Sequence, residues 1–229
     1  HRRFVPTSSF SICTVAGLRI SNHSKLETLK RPTPSFTNHE RQQHRSPMVF
    51  TVMHVAEKPS VAKQLAPHLC TRGTNPRRKA DSSWHTLEFK GNWLSKGEVS
   101  HVMTSVRGHL LSQDFTPEYR AWHACEPVQL MDEGSPIESF CPEDMKNVHE
   151  NLQKLAKTCH LLVLWTDCDR EGEHIGYEIM QVCQEAKRNL QCLRAQFSCC
   201  TKGEVAKAVR TLRPLHMGMV NAVAARTEI

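Results

Sequence analysis

The segment Asp167-Cys168-Asp169-Arg170-Glu171-Gly172-Glu173 sets four carboxylates within seven residues, directly after the apolar run Leu161-Leu162-Val163-Leu164-Trp165. Side chains alternate along an extended chain, so Asp167 and Asp169 fall on one side. Glu171 lies one step further, where the chain turns into a helix. Three carboxylates converging at that point would repel one another by on the order of several kcal/mol at interior dielectric. A hard divalent cation removes the repulsion, and an all-oxygen donor set suits Mg²⁺. Glu57, which ends another apolar run, joins the set if the two strands are neighbours. Glu57, Asp167, Asp169 and Glu171 are therefore the candidate Mg²⁺ ligands.

Two other readings compete. Acids at a helix start complement the macrodipole, which accounts for Glu171 and Glu173 but not for two aspartates at the end of so apolar a strand. Counting Asp167 as position 1 also supplies Asp169 at 3, Glu171 at 5, Gly172 at 6 and Glu178 at 12. That is close to a Ca²⁺-binding EF-hand loop. An EF-hand is entered from an amphipathic helix, however, and His174 occupies a position that is normally apolar.

The elements that must position these residues follow from the hydropathy pattern. Residues 49–56 are β-branched and apolar, as a buried strand is. They run into Glu57-Lys58-Pro59-Ser60, after which Val61, Leu65 and Leu69 recur at helical spacing. Pro59 suits the first turn of that helix, where its missing N–H costs nothing. Residues 72–83 are polar and read as an exposed loop. Strands are expected around 86–89 and 99–106, a helix over 142–157, the strand 160–165, a helix through Ile175, Ile179 and Val182, a strand over 190–197 and a helix over 201–212. Alternating strands and helices predict an α/β fold with a mostly parallel sheet flanked by helices.

Charge is unevenly placed. Of 30 Lys/Arg and 23 Asp/Glu, eight basic and two acidic residues fall in residues 1–47, so the tail carries +6 of the net +7. The basic balance thus says little about the folded part. The tail is rich in Ser, Thr, Arg, His and Pro without periodicity, and reads as disordered or as a targeting-like segment. Its first residue is His rather than Met, so the sequence reads as a fragment or a conceptual translation. No apolar run approaches the roughly 18 residues of a membrane span. The ten cysteines include no C-x-x-C pair, which argues against a zinc module and for reduced thiols.

Three motifs occur in order: Val55-Ala56-Glu57-Lys58-Pro59-Ser60, Thr104-Ser105-Val106-Arg107-Gly108-His109-Leu110, and Trp165-Thr166-Asp167-Cys168-Asp169-Arg170-Glu171-Gly172-Glu173. Together they resemble the Toprim region of type IA DNA topoisomerases, those of the eukaryotic topoisomerase III group in particular, over about residues 48–229.

The resemblance implies a Toprim fold with Mg²⁺ held by Glu57, Asp167 and Asp169, and with Glu171 close by. It implies catalytic roles for Glu57, as acid/base partner of the leaving sugar oxygen, and for Lys58, on the scissile phosphate. Lys58, His109 and Arg170 are the residues it places towards DNA. The activity implied is ATP-independent cleavage, strand passage and religation of single-stranded or underwound DNA. The nucleophilic tyrosine of that reaction belongs to a later domain. Neither Tyr119 nor Tyr177 matches it, so the chain alone is expected to be inactive without the remaining topoisomerase domains or a complementing chain. The implied organisation is a tail over 1–47, a Toprim domain over 48–205 and the start of the following domain over 206–229. A nuclear location is expected, with a mitochondrial one as the alternative. Gln196, Cys199, Cys200 and Ala224 depart from the family pattern, whereas Arg226 and Glu228 keep it. Toprim primases and nucleases share the acidic chemistry and are the enzymatic alternative.

Overall fold

The computed structural model describes residues 49–131 and 137–228. The basic tail over 1–47 lies outside the described residues. Strand β1 (Thr51–Ala56) leads into helix α1 (Pro59–Leu69), with Lys58 as its extended N-cap and Pro59 in its first turn. A two-residue strand β2 (Arg77–Arg78) then precedes β3 (Leu87–Asn92) and β4 (Glu98–Ser105). After β4 come a small pair, β5 (Ser112–Phe115) and β6 (Ile137–Phe140), and helix α2 (Lys146–Thr158). The chain continues through β7 (Leu161–Trp165), α3 (Arg170–Ala186), β8 (Gln191–Arg194), α4 (Lys202–Arg210) and α5 (Met217–Glu228). The junction expected at residues 205/206 falls within α4.

Six strands form one sheet in the order β2-β3-β4-β1-β7-β8. β4, β1, β7 and β8 are parallel, and β3 and β2 complete one edge antiparallel. β7 is buried at all five positions. That explains its unbroken apolar sequence, because strands covered by helices on both faces show no alternation. Side chains of β1 alternate between two cores. Met53 and Val55 pack with Val148, Leu152, Ile175 and Ile179 of α2 and α3. Val52 and Ala56 pack with Leu65, Ala66, Val205 and Ala208 of α1 and α4. The expected strands and helices are present. β2, the β5–β6 pair and α5 were not legible, because β2 is two arginines and β5–β6 are largely polar and exposed. No described helix is long and apolar enough to cross a membrane.

One polar chain lies inside the sheet. The Trp165 indole N–H donates to His54 Nδ1 (3.1 Å), and His54 Nε2 lies 2.9 Å from His101 Nδ1. An indole only donates, so His54 must carry its proton on Nε2 and His101 its proton on Nε2. The latter nitrogen lies against Gly91 without a hydrogen-bond partner. Burial, and then the charge of His101, hold His54 well below the usual imidazole range, and burial lowers His101 to about 4. Unfolded histidines take up protons below about pH 6.5, whereas the folded pair does not, so stability present above about 6.5 is lost as pH falls towards 4. His101 alone accounts for about 3 kcal/mol of that loss. Urea titrations across this range should show the slope, and the double variant His54→Leu/His101→Phe should flatten it. An unchanged slope in the double variant would place the titration elsewhere.

Candidate functional site

Ala56 is in register with Ser105 on one side and with Trp165 on the other. Glu57, Val106 and Thr166 therefore leave the sheet at one level, at the carboxyl edge where open α/β sheets bind ligands. The expectation that Glu57 and the acidic loop belong to neighbouring strands is met. The Glu57 N–H donates to the Trp165 carbonyl (3.1 Å), and Glu57 Oε2 accepts from the Asp167 N–H (2.9 Å). Glu57 is largely buried, while Asp167 is exposed. Lys58 Nζ lies 3.1 Å from Glu57 Oε1 and 3.4 Å from Asp167 Oδ2. The hydrogen bond to Glu57 and its charge, and then Asp167, raise the Lys58 pKa, so its ammonium stays charged at neutral pH.

Asp169 caps α3. Its Oδ1 accepts from the Gly172 N–H (2.7 Å), as capping aspartates do, which leaves Oδ2 outside the cap on an exposed residue. Arg170 is exposed beside it. Glu171 turns the other way. Its Oε1 accepts from Arg226 Nη2 (2.6 Å), and its Oε2 lies 3.4 Å from His109 Nε2. His109 follows Gly108, whose φ of +89° favours glycine. The hydrogen bond to Glu178 Oε1 (2.9 Å) raises the His109 pKa against the opposing effect of burial. Tyr177 is half-buried in the wall of the cavity beside His109.

Beneath the acidic loop sits a group that the sequence did not announce. Arg194, fully buried at the end of β8, donates to Glu173 Oε1 (2.7 Å), the Thr166 carbonyl (3.0 Å) and the Asp167 carbonyl (2.6 Å). Glu173 Oε2 accepts from the His216 N–H (3.0 Å). Glu173 thus faces inward and anchors the loop, rather than only complementing the helix dipole. Glu178 is likewise buried, and its Oε2 accepts from the Leu110 N–H (2.7 Å). Both glutamates share a helix with exposed acids, and their partners come from distant segments. Neither carried a sequence signal: five residues apart, they lie about 140° from one another around α3, and Glu173 falls off the Ile175–Ile179–Val182 stripe.

The donors at the sheet edge fit a hard cation. Carboxylate oxygens of Glu57 and Asp167 already share one positive charge, the Lys58 ammonium, and Asp169 keeps one oxygen free of its capping bond. The spacing is open: among the described residues, the only group of three His, Cys, Asp or Glu whose ligand atoms all lie within 4.8 Å is His109, His174 and Glu178. A looser acidic set suits an ion that keeps several of its waters. The EF-hand alternative does not fit this geometry. The loop is entered from β7, and Glu178, its twelfth position, is turned to Leu110 and His109.

The three-layer fold with acids at the carboxyl edge of its parallel strands defines a class, and the comparison with known families agrees: the Toprim domain model matches residues 52–199, and the chain belongs to the Toprim family. The chain is 41% identical over 180 residues to DNA topoisomerase 3-alpha of Arabidopsis thaliana, covering 78% of this chain and 19% of that protein. It is 38% identical over 204 residues to DNA topoisomerase 3-alpha of Homo sapiens, covering 89% of this chain and 20% of that protein. DNA topoisomerase 3 of Dictyostelium discoideum is 35% identical over 182 residues, covering 80% of this chain and 22% of that protein. The chain spans about a fifth of the length of these curated relatives.

Proposed function

We propose that residues 48–229 are the Toprim part of a type IA DNA topoisomerase, in which residues 48–205 form the Toprim domain and 206–229 begin the next one. The observation that carries this reading is the Glu57–Lys58–Asp167 triplet at the shared edge of β1 and β7. Two carboxylates and a charged lysine there oppose one another within hydrogen-bonding reach, on backbone fixed from below by Arg194. Glu57, Asp167 and Asp169 would hold Mg²⁺, and Glu171 would reach the site only by leaving Arg226. When bound, the ion supplies positive charge against the phosphate oxygens. Lys58, freed from its carboxylates, would hold the scissile phosphate, and Glu57 would be the acid/base partner of the leaving sugar oxygen, relaying to it a proton first taken from water. Arg170, exposed at the start of α3, and His109 would lie along the DNA. The substrate would be single-stranded or underwound DNA, in the nucleus or the mitochondrion.

The tyrosine nucleophile would come from the remaining domains or from a complementing chain. The 229-residue chain alone should therefore give no relaxation of negatively supercoiled plasmid with Mg²⁺ and no covalent adduct after denaturant trapping. Joined to the following domains of a relative, it should do both, and Glu57→Ala should abolish relaxation. In calorimetry, Mg²⁺ should bind the chain weakly and lose its signal in Asp167→Ala/Asp169→Ala. An adduct formed by the chain alone and removed by Tyr177→Phe would overturn the reading, as would an unchanged Mg²⁺ response in the double variant.

A further inference from the structure

We propose that His109, His174 and Glu178 form a second metal site, selective for Zn²⁺ or a similar transition-metal ion and separate from the acidic edge. Such a site stands whether or not the chain belongs to a topoisomerase.

His174 and Glu178 are one helical turn apart on α3, so both project from the same face. The turn at Gly108 brings His109 onto that face. Glu178 Oε1 lies 2.9 Å from His109 Nδ1 and 3.6 Å from His174 Nδ1, and the two imidazole rings are 5.5 Å apart. Tetrahedral zinc with bonds of about 2.0–2.2 Å sets its ligand atoms roughly 3.3–3.5 Å apart. The two separations from Glu178 bracket that value, and ligand atoms of all three residues lie within 4.8 Å of one another. Small rotations of two imidazoles would therefore bring three ligand atoms around one ion.

A second observation points to a ligand. His174 Nδ1 is buried and has no hydrogen-bond partner, although buried nitrogens nearly always have one. Its 3.6 Å separation from Glu178 is too long for a hydrogen bond. An ion between the two would satisfy it.

The surroundings complete the pattern. Metal-bound histidines usually donate their other ring N–H to a carboxylate, which fixes ring orientation. His109 is placed for this, with Nε2 3.4 Å from Glu171 Oε2, and Glu171 is itself held by Arg226. Glu178 keeps one oxygen on the Leu110 N–H while the other faces the histidines. The fourth position would open onto a cavity of about 430 Å³ that Gln113, Tyr177 and Arg226 help to line, where a water or an anionic oxygen fits. Two imidazoles and one carboxylate suit zinc, whereas Mg²⁺ takes oxygen ligands. Donor chemistry would thus sort two cations between two neighbouring sites.

The test is Zn²⁺ calorimetry on the full 229-residue chain in excess Mg²⁺. One ion should bind, and His174→Asn should weaken it by at least ~100-fold, since even partners outside the coordination sphere are worth 10–100-fold. His174→Asn should leave the Mg²⁺ response intact, and Asp167→Ala/Asp169→Ala should leave Zn²⁺ binding intact. Glu178 also holds the Leu110 backbone, so its loss could unfold the loop. A spectroscopic measurement on the unsubstituted chain covers that case. Co²⁺ in the same site should give a visible spectrum of nitrogen and oxygen ligation without thiolate charge transfer. Zn²⁺ affinity unchanged in His174→Asn, loss of binding in Cys199→Ser/Cys200→Ser, or thiolate bands with Co²⁺ would each overturn the proposal.

Discussion

Replacing Arg194 by methionine should destabilise the domain by about 3–5 kcal/mol, the usual cost of leaving one partner of a buried ion pair without the other. Arg194 is fully buried and Glu173 nearly so. The loss is more than one contact. The guanidinium also satisfies the Thr166 and Asp167 carbonyls, and neither carbonyl gains a replacement donor from a thioether. For a domain of this size, 2–4 °C per kcal/mol converts the loss to a fall in Tm of roughly 10 °C. Arg194→Lys should also be costly, because a single ammonium cannot match a planar fork that reaches three acceptors. The double variant Arg194→Met/Glu173→Leu should be less damaged than the sum of its single variants, by about 0.5–3 kcal/mol of coupling. Chemical denaturation of the four proteins measures this. Strict additivity, or an Arg194→Met variant as stable as the parent, would show that the pair does not hold the loop.

That pair also shows where sequence reading stops. β1 and β7 were legible because a parallel strand covered on both faces leaves an unbroken apolar run, and the polar residues that end it stand out as a site. Glu57 and Asp167 were read as candidates in this way and Lys58 through the family resemblance, and the register of β1 with β7 brings the three side chains together. The inward-facing acids of α3 carried no such mark. Glu173 and Glu178 sit in a helix with Glu171, and composition alone does not tell an acid that meets Arg194 or the Leu110 N–H from one that meets water. Their partners lie on β8 and on the loop after β4, so the information is in the tertiary contact. Asp169 and Glu171 were legible as acids but not in their engagements: the cap from Asp169 to the Gly172 N–H is local to the start of α3, whereas the bond from Arg226 to Glu171 forms only once α3 and α5 are packed. The hydropathy pattern did not show α5, which entered the reading only through the resemblance at Arg226 and Glu228.

Gly172 is where the acidic loop tolerates least. A Cβ built there would lie 1.9 Å from the Asp167 carbonyl oxygen, with the Asp167 carbon and nitrogen at 2.8 and 3.0 Å. All three are backbone atoms, so no side-chain rotation relieves the overlap. The backbone cannot drift freely either. Arg194 holds the Asp167 carbonyl, Glu57 holds the Asp167 N–H, and the Thr166 hydroxyl donates to the Gly172 carbonyl (2.6 Å). Gly172→Ala must therefore either unwind the first turn of α3 or push Asp167 away from Glu57 and Lys58. Overpacking of this kind costs about 1–3 kcal/mol, and more where the neighbours are pinned. The expected result is a stability loss at or above the top of that range, together with loss of the Mg²⁺ response, because Asp167 and the capping Asp169 move as one loop. Gly203 is the control. A Cβ there meets nothing within 4 Å, and Gly203→Ala in helix α4 should be neutral or stabilising by up to about 1 kcal/mol. Urea midpoints and Mg²⁺ calorimetry on both variants make the comparison. If Gly172→Ala kept the parent's midpoint and its Mg²⁺ response, the close approach of α3 to the loop would not be what sets the positions of the two aspartates.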